Sequence, residues 1–312
     1  MAIGSTNTTV NQQGMRLQKI YWKTYMKAPQ MFEEVFNTPS WDPSRSFATT
    51  MPVIGLGLYA LKPEGQPPAY DMAAEGTPTT FTFATFSLAY KITEEGRLED
   101  PERMFRRLPE MLAYSGTISK EIIIWAVFNL AFNGVGSAQP VLGPDGQPLA
   151  SSVHPLEGLP GQTYSNYGGI TSLTPESFQN ALTAFQLLPD DRGLPMWKTP
   201  RKLIVHPNII GIGQTVLHAD LYPYSSENRP NVVKDATGLM SPRYLTLPNS
   251  WYLVAGKGEE EADTHSLVAP FHWRDRVRTW EDPETGNQSQ RASFRLSTGW
   301  EDPRGFYGSS GA

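Results

Sequence analysis

The chain has 312 residues, with 27 Gly and 27 Pro making up about a sixth of all positions; its 39% apolar share includes 8 Trp, 13 Tyr and 14 Phe. That much apolar and aromatic surface supports a sizeable core and excludes a disordered chain. A net charge of −5 excludes a dedicated nucleic-acid binder, and the lack of cysteine excludes a disulfide scaffold, a thiolate metal site and a cysteine nucleophile.

Length alone implies one large domain or two intertwined ones. Residues 1–46 read as an arm: a polar Thr/Asn/Gln stretch, a basic segment Arg16–Lys27, and a short helical signal, Gln30–Phe36, broken by Pro39 and Pro43. Such a segment buries little against itself, so it is expected to lie on another surface, and deleting residues 1–40 is expected to leave a soluble folded body that assembles poorly. No secretory signal is visible in Met1–Met15, which carry neither a charged side chain nor an apolar run.

Residues 47–93 read as a long hairpin. An apolar strand, Phe47–Leu61, leads to a tip rich in Pro63, Gly65, Pro67, Pro68, Gly76 and Pro78, and the strand Thr79–Ile92 returns with β-branched and aromatic alternation. A two-stranded ribbon is marginal in water, so this one is expected to project from the body and contact another subunit.

Asp100-Pro101 is a helix-entry signature. Pro109 and Gly116 predict a short helix followed by a kinked long one over about 109–132, ended by Asn133-Gly134. Its expected packing face is Ile118, Ile122, Trp125 and Phe132, with Met111, Leu112 and Ser115 on the same spacing. The most apolar run, Ile122–Phe132, spans only about 16 Å as a helix, half a bilayer core, so it reads as a core helix and no membrane partner is expected.

Gly143-Pro144-Asp145-Gly146 predicts a tight turn. A capped helix follows from Thr174-Pro175-Glu176 to Leu188, then a strand Lys202–Val205, the step His206-Pro207, and a helix Asn208–His218. The remainder is strand-like at Tyr252–Ala255, Leu267–Val268, Arg276–Trp280 and Ala292–Leu296. The class is α+β, without internal repeats.

Chemistry-bearing patterns fail on context. Gly55-Leu-Gly57-Leu-Tyr-Ala60 has the form of a dinucleotide fingerprint, but the prolines after it forbid the helix that would bind pyrophosphate. Gly211-Ile-Gly213 lies inside a predicted helix and lacks the third glycine. The histidines, His154, His206, His218, His265 and His272, have no metal-ligand spacing, and His154-Pro155 and His206-Pro207 read as turn or helix-entry residues. Acidic clusters at Glu94-Glu95, Asp190-Asp191 and Glu259–Glu261 read as solvated loop charges, and no G-x-S-x-G elbow exists. Arg274, Arg276 and Arg278 belong to a segment, 271–312, in which six arginines face six acids; a solvated strand face or inter-subunit ion pairs come first, a phosphate track second. No catalytic, cofactor-binding or metal-binding residue is assigned, no cofactor is expected, and the protein is not expected to be an enzyme.

Three stretches together resemble the major capsid protein of tailed bacteriophages, of the Hong Kong 97-type fold. They are Asp145-Gly-Gln-Pro-Leu149 through His154-Pro-Leu156 and Gly161-Gln-Thr-Tyr-Ser-Asn166 to Leu173-Thr-Pro-Glu-Ser-Phe178; Pro200-Arg-Lys-Leu-Ile-Val-His-Pro207; and Ser241-Pro-Arg-Tyr-Leu245 with Trp251-Tyr-Leu-Val254 and Phe294–Gly308. The order of elements resembles that family's over nearly the whole chain. The resemblance implies an N-terminal arm (1–46), an extended hairpin loop (47–93), a peripheral domain with a spine helix (94–171 and 263–312) and an axial domain (172–262). It also implies a major capsid protein of the virion, self-assembling as hexamers and pentamers into an icosahedral shell around double-stranded DNA in the bacterial host cytoplasm. Portal, scaffolding and decoration proteins are implied partners, with packaged DNA held without sequence reading on the inner face. Any scaffolding protein would be separate or dispensed with, since no long charged helix precedes the arm. Some members of the family cross-link a loop lysine to a neighbour's asparagine; Lys62 and Asn287 are the conceivable pair here, but no catalytic acid marks them and an exposed lysine is the simpler reading. The rival classes are another virion part, such as a tail or tube protein, and a cytoplasmic enzyme with an unrecognised pocket.

Overall fold

The structure is a computed structural model that describes residues 5–40, 44–99, 104–134, 137, 141–196, 198–222, 230–255 and 266–311. Pro43, the Asp100-Pro101 signature, Glu259–Glu261 and His265 lie outside the described residues.

The chain opens with helix α1 (Ser5–Tyr25) and a 3-10 turn, Met31–Glu34. Strands β1 (Phe47–Thr50), β2 (Val53–Ile54), β3 (Ala74–Glu75), β4 (Thr79–Thr82) and β5 (Ala84–Ile92) follow, then helices α2 (Glu94–Leu98) and α3 (Leu108–Asn129). Next come β6 (His154–Pro155), β7 (Thr163–Tyr164), α4 (Pro175–Gln186), β8 (Pro200–Val205), α5 (Ile210–His218), β9 (Gly238–Met240) and β10 (Trp251–Ala255). The last strands are β11 (Leu267–Val268), β12 (Phe271–Glu281), β13 (Gln288–Leu296), β14 (Gly299–Trp300) and β15 (Phe306–Ser309).

The N-terminal segment is less separable than its sequence implies. Helix α1 packs on α3 and β12, with Tyr21 fully buried, and Phe32, Val35 and Phe36 belong to the main core. Phe36 meets Trp125 and Phe128 edge-on at 5.8 Å. The structure contradicts the expectation that a body lacking residues 1–40 stays folded: that deletion would strip four core side chains, Tyr21, Phe32, Val35 and Phe36, each worth several kcal/mol.

The hairpin is shorter in regular structure than Phe47–Leu61 predicts. Pro52 has no N–H to donate and divides the outgoing strand, so only β1 pairs with β4 and β2 with β3. At Phe83 the return strand leaves β4, and β5 becomes the edge of a three-stranded antiparallel sheet, β12-β13-β5. At the tip, Gln66 N–H bonds Pro63 carbonyl with Gly65 at φ 77°, a turn geometry that favours glycine.

Helix α3 begins at Leu108, with Pro109 in its first turn, and runs through Gly116 without a break. Its buried residues are Pro109, Leu112, Ala113, Thr117, Lys120, Glu121, Ile124, Trp125, Val127 and Phe128. Trp125 is on the expected face, but Met111 and Ile122 are exposed and Ile118 and Phe132 only partly buried. Ile122-Ile123-Ile124 makes the helix apolar nearly all round, so spacing cannot select its inner face, and two charged residues occupy it because they find partners there. By length and composition α3 could cross a bilayer; in this fold it is half buried among strands.

The four-stranded sheet β15-β10-β8-β9 is the wall between two cores. Ile204, Met240, Tyr252, Val254 and Phe306 point into the core that contains Trp125 and Phe128, while Leu203, Val205, Trp251, Leu253 and Ala255 point into the core around Phe178, Phe185, Val216 and Leu217. α4 starts as its sequence predicts, with Thr174 and Ser177 forming a reciprocal cap. In α5, a Cβ at Gly213 would lie 3.0 Å from a Leu239 methyl, so that glycine serves close helix–strand packing. Trp125→Ala should cost about 3–5 kcal/mol in a urea titration with an unchanged m-value, because the indole is fully buried and its Nε1 donates to Glu121.

Candidate functional site

Polar chemistry in this chain is concentrated where elements are joined. Lys120 and Asp275, with side chains 1% and 2% exposed, form an ion pair between α3 and β12. Lys120 Nζ also donates to Tyr25 Oη at 2.8 Å, and Tyr21 Oη donates to Asp275 at 3.3 Å, so α1 is fastened to the same pair. Burial lowers the Lys120 pKa, opposed by Asp275; burial and the Asp275 charge push the Tyr21 and Tyr25 hydroxyls far above their usual range. One residue along, the Glu121 carboxylate accepts from Met31 N–H (2.6 Å) and Trp125 Nε1 (2.7 Å), with burial raising its pKa.

A second network locks the turn-rich segment. His154 is fully buried, contrary to a simple turn residue. Asn166 Nδ2 donates to the carbonyls of Leu149 (2.8 Å) and Pro303 (3.0 Å), which turns its Oδ1 toward Ser151 N–H and His154 Nε2, and the latter donates to it. The other ring nitrogen of His154 meets the Asp145 carboxylate. His206, as expected, caps a helix entry by accepting from Asn208 N–H.

Asp190 and Asp191 are not simply solvated. Asp190 accepts from Arg192 and Leu194 N–H, and Asp191 pairs with the buried Arg304, whose guanidinium lies 5.0 Å from the Tyr164 ring centroid. Asp302 bonds Lys198 at 2.7 Å; against the cost of burial, Lys198 and Arg304 hold its carboxyl below the usual range. Several of these acids line a cleft of about 380 Å³ between the hairpin base and the C-terminal segment. Asp145, Glu157, Asp190, Asp191 and Asp302 there each hold a named donor, while burial raises the pKa of Glu301 on the same wall, so the cleft joins the hairpin base to the C-terminal segment through paired acids.

The hairpin supplies the exposed apolar surface. Leu58, Tyr59, Leu61, Tyr70 and Met72 are each more than four-fifths exposed, while the base is tied to its own chain: Glu157 accepts from Thr77 N–H, and Arg192 reaches Asp71 and the Met72 carbonyl. Gly55–Ala60 carry no helix after them, so the glycine pattern forms no phosphate loop. Lys62 stands exposed beyond them; Asn287, in the β12–β13 turn, donates to Thr285. Among the described residues, no group of three His, Asp or Glu could hold a metal ion.

The profile of a family described as phage capsid protein matches residues 76–309. The chain belongs to the phage capsid protein family. It is a structural protein of the phage shell, and its place is the capsid of the virion. No curated protein matches the chain. Solved structures share its fold: a virus-like particle from Pyrococcus furiosus (7% identity, 95% of this chain and 98% of that one, TM-score 0.53) and the mature capsid of bacteriophage PhiM1 (9%, 91% and 88%, TM-score 0.58). The capsid of bacteriophage JBD30 decorated with minor capsid protein trimers is similar over 70% of this chain and 92% of that one, at 10% identity and TM-score 0.55. The fold is thus of the Hong Kong 97 type, as the sequence resemblance implied.

The buried joints of this capsid protein make two predictions. Asp275→Asn should cost about 3–5 kcal/mol by urea titration, since it strands a buried ammonium, whereas Lys120→Met with Asp275→Leu should recover most of that loss. Asp302 has a depressed folded pKa, so its stabilisation is present above the unfolded carboxylate range and disappears as pH falls through the folded value. The thermal-stability gap between wild type and Asp302→Asn should therefore narrow between about pH 6 and about pH 3.

Proposed function

We propose that the chain self-assembles, as hexamers and pentamers, into an icosahedral shell around the double-stranded DNA of a tailed phage, in the cytoplasm of a bacterial host. Catalysis is not part of this role. A net charge of −5 suits a wall that confines DNA without reading it. Portal, scaffolding and decoration proteins are the further partners of such a wall.

The division of labour follows the four regions: arm (1–46), hairpin (47–93), peripheral domain (94–171 and 263–312) and axial domain (172–262), the last two meeting across the sheet β15-β10-β8-β9. The observation that carries the reading is the hairpin tip. Its leucines and tyrosines face solvent in the single chain, and a neighbouring subunit's surface is the cover that a shell provides. Lys62 is kept as an exposed lysine of that tip, with no cross-link assigned.

Tyr59→Ser with Leu61→Ser tests this. The double variant should keep the thermal stability of the subunit to within about 0.5 kcal/mol, because neither side chain is buried. Negative-stain imaging and sedimentation should then find free subunits or small oligomers where wild type gives closed shells. Normal shells from the variant would remove the tip from the assembly contact.

A further inference from the structure

The sheet β12-β13-β5 has one face on α3, through Ala292, Phe294 and Leu296, and one face uncovered in the chain. On the uncovered face the rungs are Arg278–Arg291–Ala89, Arg276–Ser293–Ser87 and Trp273–Arg295–Thr85. Arg278 and Arg291 stand directly opposite each other, a like-charge pair that destabilises a sheet unless a counter-charge arrives. Arg274 on the same strand is held by Glu33 at 2.9 Å, but Arg276, Arg278 and Arg291 form no ion pair among the described residues. Arg276 is stacked 4.3 Å from the Trp273 ring centroid, and Trp273 Nε1 and Arg295 Nε are buried donors without a partner. Together with Ser87 and Ser293 the three free arginines line a dip of about 180 Å³, the size of a few carboxylate groups.

We propose that this dip is a docking site for carboxylates of a second copy of the chain, contributed by the far end of the same sheet. Exposed acids gather at that end: Glu94, Glu95 and Glu99 on and after α2, and Glu284 in the β12–β13 turn, none of them ion-paired among the described residues. Arg278 and Glu281 are three residues apart on β12, about 10 Å of strand, so the rigid sheet keeps its own acidic end out of reach of its basic face. A basic face and an acidic end on one element are complementary only between copies, head to tail, and head-to-tail contacts close into rings where the rotation between copies closes. The chain's excess of 31 acids over 26 bases places the counter-charge within the same protein. A duplex would need a continuous basic stripe, whereas this site is a local dip with an acidic flank. The inference rests on the shell-forming reading above and adds a contact to it.

Charge reversal of the full chain tests it. Arg276→Glu with Arg278→Glu should leave the subunit folded by circular dichroism and raise the concentration needed for shells about tenfold or more. A milder Arg278→Gln should leave subunit stability equal or higher, through loss of the opposed pair, while still weakening assembly. Adding Glu95→Lys and Glu284→Lys to the Arg276→Glu, Arg278→Glu chain should restore shells, because the contact is rebuilt with its signs exchanged. Wild-type assembly thresholds in both arginine variants would overturn the proposal, as would failure of the exchanged chain to regain shells. Shells that form normally from the arginine variants but retain less duplex DNA would assign the face to phosphates and overturn it too. If wild type itself formed no shells, the shell-forming reading would fall first, which separates the two results.

Discussion

Strand β10 is the member on which both halves of the subunit depend. Its side chains alternate between two cores, Tyr252 and Val254 toward α3, Trp251, Leu253 and Ala255 toward α4 and α5, and all five are buried. A strand covered on both faces cannot shift register by one residue without exchanging every side chain between cores of different shape. The relative placement of the two halves is fixed by that constraint rather than by a hinge. Each core is moderate in size, and together they form one packed body.

The buried charges divide the same labour differently. Lys120 and Asp275 contribute little net stability as a pair, because desolvation offsets their attraction, yet either alone would be costly. What they contribute is selection: α1 is held in one position, where Tyr21 and Tyr25 complete the bonding of both ions. Glu121 does the same for the turn at Met31, and His154 with Asn166 for the segment between α3 and α4. These joints bind chain segments far apart in sequence, which suits a subunit whose shape must be reproduced many times.

Much of the fold was legible in the sequence, and the misses have physical causes. Thr174-Pro175 and His206-Pro207 mark helix starts because capping is local chemistry, and α4 and the 3-10 turn before α5 begin there. The alternating strands near the C-terminus were readable as well, although β12 and β13 extend beyond their clear alternation. Helix α1 was not, since its Thr- and Asn-rich first half has weak helix propensity and the helix is bound by contacts with α3 and β12. The inner face of α3 was hidden by its all-round apolarity, and Lys120 and Glu121 carried no local signal because their partners, Asp275 and Met31, lie elsewhere in the sequence. The capsid resemblance was legible through short motifs in order, whereas the ionic joints and the arginine face required strand register.

The pairing of β15 with β10 closes the central sheet. Phe306 and Ser309 are fully buried, and Phe306 touches Phe128 and Tyr252 in the core shared with α3. A nascent chain that has emerged only as far as β13 therefore exposes one edge of its central sheet and an open core. At about 5–20 residues per second, the stretch from Leu296 to Phe306 takes roughly 0.5–2 seconds to add. During that interval the edge of β10 is unpaired and the rings of Phe128 and Tyr252 lack their contact with Phe306. The core shared with α3 is thus closed by β15, the last strand of the described residues.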